Sequence, residues 1–156
     1  MKPINDFISR FNSSVSLDER FIVKKDIRYF LLNENLKRLA LRNFFYAGTY
    51  LGKIKNGKFF PSFSLLRIIS ERRANKVIVD DKTAWLFICG RDIFKQGIVK
   101  TVGSKRKGDY ALILNEHGEC LGFGRMLSDF DEEKSDVAIK NISDIGDFLR
   151  REKQQA

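Results

Sequence analysis

The sequence carries several clusters of lysine and arginine residues, and side chains of this type and spacing can bind phosphate groups. Each contact of a cationic side chain with a phosphate releases counterions, so many weak contacts on one surface add up. A single cluster is weak evidence, because any helix end or loop can carry one. The clusters are Lys24/Lys25/Arg28, Lys37/Arg38/Arg42, Lys53/Lys55/Lys58, Arg72/Arg73, Lys105/Arg106/Lys107 and Arg150/Arg151/Lys153.

The net charge of +9 is divided unevenly along the 156 residues. Residues 1–76 hold 16 basic and 6 acidic side chains, a net +10. Residues 77–156 hold 13 basic and 14 acidic side chains, a net −1. This asymmetry indicates a nucleic acid or an acidic surface as partner, and two units with different roles. Simple solubility, or the lysine-rich composition of proteins from hot or salty habitats, is the alternative explanation.

Aromatic residues stand between the cationic clusters of the first half. An exposed ring that stacks on a base would add about 1–3 kcal/mol to nucleic-acid affinity. Alternate residues of a strand face inward, so we expect most of these rings in the core and one or two at the surface. The candidates are Phe44, Phe45, Tyr46, Tyr50, Phe59 and Phe60.

Patterns for catalysis or metal binding are missing from the sequence. The lone histidine, His117, falls in a predicted hairpin loop with no nucleophile motif around it. Cys89 and Cys120 lack further Cys or His residues at metal-ligand spacing, so we expect two buried, reduced thiols. The acidic run at 131–133 lacks the spacing of a calcium loop. We therefore expect no enzymatic activity, no metal and no cofactor.

The composition predicts a folded protein away from membranes. No apolar run approaches the roughly 20 residues that a transmembrane helix needs, and the first residues do not form an apolar signal segment. Nineteen aromatic residues and a 43% hydrophobic content argue against disorder. The length suits one ordinary domain or two small ones, which we expect in the cytoplasm.

The first half reads as helices and antiparallel strands. Apolar residues at positions 4, 7, 8 and 11 recur with helical spacing, and Asp6 and Arg10 can pair outside that face. Strands are predicted over 21–23 and 27–32, on either side of a charged turn.

Two polar residues predict helix starts. Asn33 can cap a short helix that turns Leu36, Leu39 and Ala40 inward, and Ser62 can cap a second one with an apolar side. Between them, Asn56-Gly57 accepts positive φ at both centres of a type I′ turn, which predicts a hairpin with strands near 44–54 and 58–60.

The second half reads as a small, mostly-β barrel. Short strands separated by glycine turns precede a last helix, in which Ser143 is the expected cap and Ile145, Phe148 and Leu149 are expected to face inward. We place the domain boundary after residue 75. The predicted strands are 77–79, 98–102, 110–114, 120–127 and 137–142, and a short helix is predicted over 82–88.

Four segments in this half carry a family resemblance. Read in order, they resemble the C-terminal PUA domain of the Nip-seven family, factors for large-ribosomal-subunit biogenesis in archaea and eukaryotes. PUA is named for pseudouridine synthase and archaeosine transglycosylase. The first half resembles that family's pre-PUA domain at 48–53 and at Lys58-Phe59, and the compact length resembles the archaeal branch. The four segments are 90–97, 108–114, 121–124 and 143–152.

The resemblance implies an α+β protein in two domains: an N-terminal antiparallel α/β pre-PUA domain, 1–75, and a PUA pseudo-β-barrel, 76–156. It implies a non-catalytic, RNA-binding function in pre-ribosomal RNA processing and large-subunit assembly. The expected partners are a looped or single-stranded rRNA precursor and other assembly factors, with no membrane and a monomeric protein. The expected location is cytoplasmic in an archaeon and nucleolar in a eukaryote.

The resemblance also assigns candidate RNA-binding residues. In the Nip-seven family the basic end of the last helix is associated with RNA contact, and PUA domains use the segment around their first helix and following strand. The cationic loop at 103–108 adds a third group. The residues are Arg150, Arg151 and Lys153; Arg91 and Lys95; and Lys105, Arg106 and Lys107.

Two other functions remain open at this point. The chain could be a PUA accessory module that directs an RNA-modifying enzyme to tRNA or rRNA. It could also be a protein-interaction adaptor, with the first helix or the acidic loop at 129–136 as its docking surface.

Overall fold

The computed structural model describes residues 1–39, 47–129 and 136–153, without the side chains at 148 and 151–153. The helices in this part are α1 (Lys2–Ser9), α2 (Glu34–Leu39), α3 (Phe63–Ser70), α4 (Asp81–Ile88) and α5 (Ile145–Lys153). The strands are β1 (Ile22–Lys25), β2 (Arg28–Leu31), β3 (Thr49–Lys55), β4 (Lys58–Pro61), β5 (Lys76–Val79), β6 (Ile93–Phe94), β7 (Ile98–Val102), β8 (Tyr110–Leu114), β9 (Cys120–Met126) and β10 (Val137–Asp144).

The first sheet is an antiparallel meander in the order β1-β2-β3-β4. The turn between β3 and β4 has positive φ at both central residues, 51° at Asn56 and 71° at Gly57, so the predicted hairpin is confirmed. The β3 strand begins at Thr49, so positions 47–48 of its predicted span are not part of it, while Phe44, Phe45 and Tyr46 lie outside the described residues.

Both predicted caps in this half are confirmed. The backbone N–H of Leu36 donates to Asn33 Oδ1 at 2.8 Å, and the N–H of Leu65 donates to Ser62 Oγ at 3.1 Å. The two helices differ in burial, since α3 buries Leu65 on its apolar side whereas Leu39 of α2 is 66% exposed. The expectation for Leu39 is wrong because no other described element packs extensively on α2. Ala40 lies outside the described residues.

The second sheet has the order β6-β10-β9-β8-β5-β7. Its pairs are antiparallel except for the parallel pair of β5 with β8. The sheet curls into a half-barrel, and α4 and α5 pack beside one another over it. The protein is therefore an α+β structure, as the sequence predicts.

One hydrophobic core joins the two sheets. Phe7 of α1 lies 5.5 Å from Phe59 of the first sheet and 5.5 Å from Phe123 of the second, measured between ring centroids. Phe11 continues the contact to Tyr110 at 5.9 Å. The boundary after residue 75 remains a prediction. Buried side chains from both sides of it pack into one hydrophobic cluster.

Asn75 ties the two halves together at that boundary. The residue is 1% exposed, and its backbone N–H donates to the carbonyl oxygen of Phe11 at 2.7 Å. Its side chain donates to the carbonyl oxygen of Tyr110 at 3.2 Å and accepts from the N–H of Ser104 at 2.8 Å. Gly103 has φ +86°, and a Cβ there would collide with Asn75 Oδ1. Position 75 is thus an ordered junction.

Several expectations about single side chains are wrong. Arg10 lies over the ring of Tyr110 and donates to its hydroxyl at 3.3 Å, and no ion pair of the described residues joins it to Asp6. Cys89 is exposed because it follows the last residue of α4, beyond the buried side of that helix. Cys120 is buried, as expected.

The last helix also departs from its predicted arrangement. The N–H of Asp147 donates to Asp144 Oδ1 at 2.8 Å, so Asp144 takes the capping role expected of Ser143. Leu149 is 59% exposed, because α5 packs through its first turn. A Cβ at Gly146 in that turn would collide with the carbonyl oxygen of Ile88. Phe148 is outside the described side chains.

Across the three stretches of chain that the structure covers, none of the helices has the length and apolar character to cross a membrane.

Candidate nucleic-acid interface

The helix α4 is anchored at its start and buried on one side. The N–H of Thr83 donates to Asp80 Oδ1 at 2.7 Å, and this bond holds the pKa of the Asp80 carboxyl below its ordinary value. Ala84 and Phe87 face the core of the half-barrel. Trp85 lies on the other side of the helix and is 67% exposed, a large aromatic surface left in water.

The turn after α4 is held by β10. Gly90 adopts φ +91°, and the N–H of Arg91 donates to the carbonyl oxygen of Leu86 at 3.0 Å. Asn141 fixes the turn from the other side. Its N–H donates to Asp92 Oδ1 at 2.8 Å, and its side-chain amide donates to the carbonyl oxygen of Phe87 at 2.9 Å. The exposed Arg91 therefore projects from a rigid backbone.

Asp144 organises the neighbouring end of α5. Its side chain is 4% exposed and accepts hydrogen bonds from the Asn141 amide at 3.1 Å and the Arg150 guanidinium at 3.4 Å. Arg150 also donates to the carbonyl oxygen of Ile88 at 3.3 Å, so it joins the end of α4 to α5. Its own side chain stays 54% exposed, and part of the guanidinium remains open to solvent.

These elements form one exposed surface with both aromatic and cationic character, which we call the α4–α5 face. A base can stack on an exposed indole, and guanidinium groups bind phosphate oxygens with directed hydrogen bonds. Asn141 and Asp144 fix the turn after α4 and the start of α5, the segments that carry Arg91 and Arg150. The α4–α5 face consists of Trp85, Leu86, Arg91, Leu149 and Arg150.

The predicted RNA-binding residues are only partly brought together. The Arg150 guanidinium lies beside the backbone that immediately precedes Arg91, since a Cβ at Gly90 would lie 3.9 Å from one of its nitrogens. Lys95 follows β6 toward the far end of β10, where its N–H donates to the carbonyl oxygen of Asp136 at 2.8 Å. Arg151 and Lys153 are part of α5, and their side chains lie outside those that the structure describes.

The cationic loop at 103–108 lies toward the opposite end of the second sheet. The loop leads into Tyr110, which pairs with Arg125, whereas Gly122 pairs with Asp144 at the other end. Three residues of strand separate these positions, or about 10 Å. Lys107 also sits beside an acid, since its N–H donates to Asp129 Oδ1 at 2.6 Å. Lys105, Arg106 and Lys107 thus form a second cationic area, apart from Arg150.

Sequence reasoning overlooked two exposed aromatic side chains, Trp85 and Phe94, which is 48% exposed. The sequence did indicate an exposed Trp85, because Ala84 and Phe87 mark the buried side of an amphipathic helix and position 85 lies on another side. Three of the aromatic residues proposed for stacking, Tyr50, Phe59 and Phe60, are half-buried.

As potential metal ligands, the two cysteines differ in burial, and Cys120 is the buried one. Burial raises the pKa of the Cys120 thiol to about 11. Within the described ranges, no three histidine, cysteine or acidic side chains come together to hold a metal ion.

Comparison with known proteins supplies the family context of this surface. The model of the UPF0113 PUA domain matches residues 75–153, which include all of the α4–α5 face. The chain is 30% identical to a UPF0113 protein of Archaeoglobus fulgidus over 114 residues, which are 69% of this chain and 63% of that relative. The match therefore spans less than two thirds of the relative's length.

Solved structures share the fold over nearly the whole chain. A conserved PUA domain protein from Thermoplasma acidophilum is 23% identical, with a TM-score of 0.60 over 97% of this chain and 92% of that one. A hypothetical protein from Pyrococcus horikoshii OT3 is 16% identical, with a TM-score of 0.56 over 96% and 94%. A PUA domain from Aeropyrum pernix K1, solved with tartrate, is 22% identical, with a TM-score of 0.51 over 64% and 59%.

Proposed function

The chain belongs to the UPF0113 PUA domain family, and we propose from this that it is a non-catalytic RNA-binding factor in pre-ribosomal RNA processing and large-subunit assembly. PUA domains are RNA-binding modules. The observation that assigns the proposal to particular residues is the α4–α5 face: Trp85 on α4 is 67% exposed, and Arg150 of α5 bonds to the carbonyl oxygen of Ile88 at the end of that same helix.

The α4–α5 face suits unpaired RNA. Bases that are splayed out of a loop offer an open ring to stack on Trp85, whereas bases inside a duplex do not. Arg91 and Arg150 would bind the adjoining phosphates and fix the register of the strand. Recognition at this face therefore requires a single-stranded or looped segment.

The first half would supply affinity without sequence preference. Residues 1–76 carry a net +10 against −1 for the remainder, so phosphate attraction is strongest on the half that lacks the PUA domain. The charge distribution therefore suggests two roles: the first half binds RNA phosphates without sequence preference, and the α4–α5 face of the second half binds a particular unpaired segment of the RNA.

The role in the ribosome is supported by the resemblance of segments 90–97, 121–124 and 143–152 to the Nip-seven family. Crosslinking the protein to total cellular RNA, followed by mapping of the crosslinked sites, tests it. We expect reads concentrated on the large-subunit rRNA precursor, with crosslinked peptides from α4 or α5. Reads concentrated on tRNA would replace this role with that of an accessory module for an RNA-modifying enzyme.

RNA binding itself is tested by the salt dependence of affinity. Contact with about six phosphates predicts that log affinity for single-stranded RNA falls against log salt with a slope of about −4. Fluorescence anisotropy with a labelled single-stranded RNA gives this slope. A flat response, or equal affinity for a neutral polymer, contradicts the proposed function.

A further inference from the structure

A cleft of about 580 Å³ opens between α1, the β3–β4 hairpin and the second sheet. Its lining includes no residue of α4 or α5, so it is separate from the α4–α5 face. Its volume falls within the range of about 300–1,000 Å³ found for small-molecule sites. Residues from both sides of the domain boundary line it, among them Lys2, Arg10, Lys58, Phe59, Phe60 and Tyr110.

The walls of the cleft include aromatic rings that pack on buried aromatic rings beneath them. Phe59 and Tyr110 are half-buried, so each offers part of its ring to the cleft. Phe7 and Phe123 are buried beneath them, at centroid distances of 5.5 Å from Phe59 and 5.7 Å from Tyr110 respectively. Rings fixed in this way suit a planar ligand, because stacking then requires little reordering of the protein.

The rim of the cleft is cationic. Lys2, Arg10 and Lys58 are exposed there, and Asp6 is the acidic residue of the lining. The Arg10 guanidinium carbon lies 5.3 Å from the centroid of the Tyr110 ring, and one of its nitrogens donates to the Tyr110 hydroxyl. A guanidinium has five N–H donors, so this contact leaves donors for an anion.

We propose that the cleft binds one unpaired nucleotide, with its base against Phe59 and its phosphate at Arg10 and Lys58. Planar rings and an adjoining excess of positive charge match a base that carries a phosphate, whereas a purely apolar ligand would leave the cations without a partner. The inference rests on the proposed function in one respect: the nucleotide belongs to the bound RNA.

The test compares two RNA hairpins that differ by a single unpaired nucleotide in the stem. Affinities are measured by fluorescence anisotropy for the full chain and for Arg10→Gln/Lys58→Gln. The matched control is Arg72→Gln/Arg73→Gln, which removes the same charge from the same half at two exposed residues outside the cleft lining. Lys2→Gln/Lys58→Gln leaves the Arg10–Tyr110 contact intact, and replaces the first variant if that variant melts early.

We expect the unmodified chain to bind the bulged hairpin about tenfold more tightly than the paired one, the size of one base stack. The cleft variant should lose this preference, and the control should keep it while binding both hairpins more weakly. Uridine 5′-monophosphate should shift the NMR signals of Tyr110 and Phe59 in the unmodified chain, and these shifts should be lost in the cleft variant.

Two outcomes overturn the inference and leave RNA binding standing: equal affinity of the unmodified chain for both hairpins, or a preference that survives in the cleft variant. Failure of the unmodified chain to bind either hairpin would instead contradict the proposed function itself.

Discussion

Arg150 donates a hydrogen bond to the buried carboxylate of Asp144 at 3.4 Å, so a predicted RNA-binding side chain also supports the fold. The two members differ in exposure, 54% for Arg150 and 4% for Asp144. Asp144 additionally accepts bonds from Asn141 and from the N–H of Asp147 at the start of α5. The stability of this region therefore depends mainly on Asp144, and part of the Arg150 side chain stays accessible to a ligand.

Replacement of the two partners should accordingly have unequal effects on stability. Asp144→Ala should lower the free energy of unfolding by about 2–4 kcal/mol, because it removes the α5 cap and leaves the Asn141 amide without this acceptor. Arg150→Gln should cost less than about 1 kcal/mol, as is usual for a half-exposed ion pair. Urea unfolding measures both values, and equal losses would contradict the assignment.

Asn75 should be intolerant of substitution. Asn75→Ala removes the partners of the Tyr110 carbonyl oxygen and the Ser104 N–H at a site that is 1% exposed. We expect a loss of about 2–3 kcal/mol of unfolding free energy, since buried polar groups without partners are costly. Thermal unfolding would show this as a lowered Tm, with Asn35→Ala on the exposed surface of α2 as control. A Tm change no larger than that of the control contradicts the role.

The Asp80 cap should add a pH-dependent contribution to stability. The hydrogen bond from the Thr83 N–H lowers the folded-state pKa of Asp80, so its contribution is present above the unfolded-state pKa and is lost as pH falls through the folded-state value. Asp80→Ala should cost about 1 kcal/mol at neutral pH. The difference between this variant and the unmodified chain should shrink below about pH 4 in urea titrations. A difference that stays constant with pH would exclude the capping carboxylate as its source.

The two cysteines should react at different rates. Cys89 is exposed, whereas burial raises the pKa of Cys120 to about 11 and leaves almost no thiolate at pH 8. Ellman's reagent should therefore modify one thiol in the folded protein and two after denaturation. Because Cys89 follows α4 directly, bound RNA should slow its modification. Fast reaction of both thiols in the folded state would contradict the burial of Cys120.

Short-range features of the fold were predictable from sequence because neighbouring residues determine them. The Asn56-Gly57 turn and the Ser62 cap each depend on a few adjacent positions, and both are observed. The capping role of Asp144 was harder to predict from the sequence. Ser143 and Asp144 are both good capping residues, and the choice between them depends on Arg150 and Asn141, which meet Asp144 only in the folded chain.

The candidate site was predictable only in part for the same reason. Arg91 and Arg150 were found by resemblance, but the contact of Arg150 with the end of α4 joins residues about sixty positions apart in the chain, and no local pattern encodes it. Trp85 was missed because a tryptophan in an apolar run is more often largely buried than exposed. The separation of Lys105, Arg106 and Lys107 from Arg150 follows from strand register in the second sheet, which sequence spacing does not reveal.

Binding of unpaired RNA by the α4–α5 face is tested most directly by the affinity of Trp85→Ala for a single-stranded RNA. Leu39→Ala is the control, because Leu39 is 66% exposed and lies in the other half of the chain. We expect Trp85→Ala to weaken binding by about tenfold with an unchanged salt slope and an unchanged Tm, since stacking contributes about 1–3 kcal/mol and releases no counterions. An affinity equal to that of the Leu39→Ala control would contradict binding at this face.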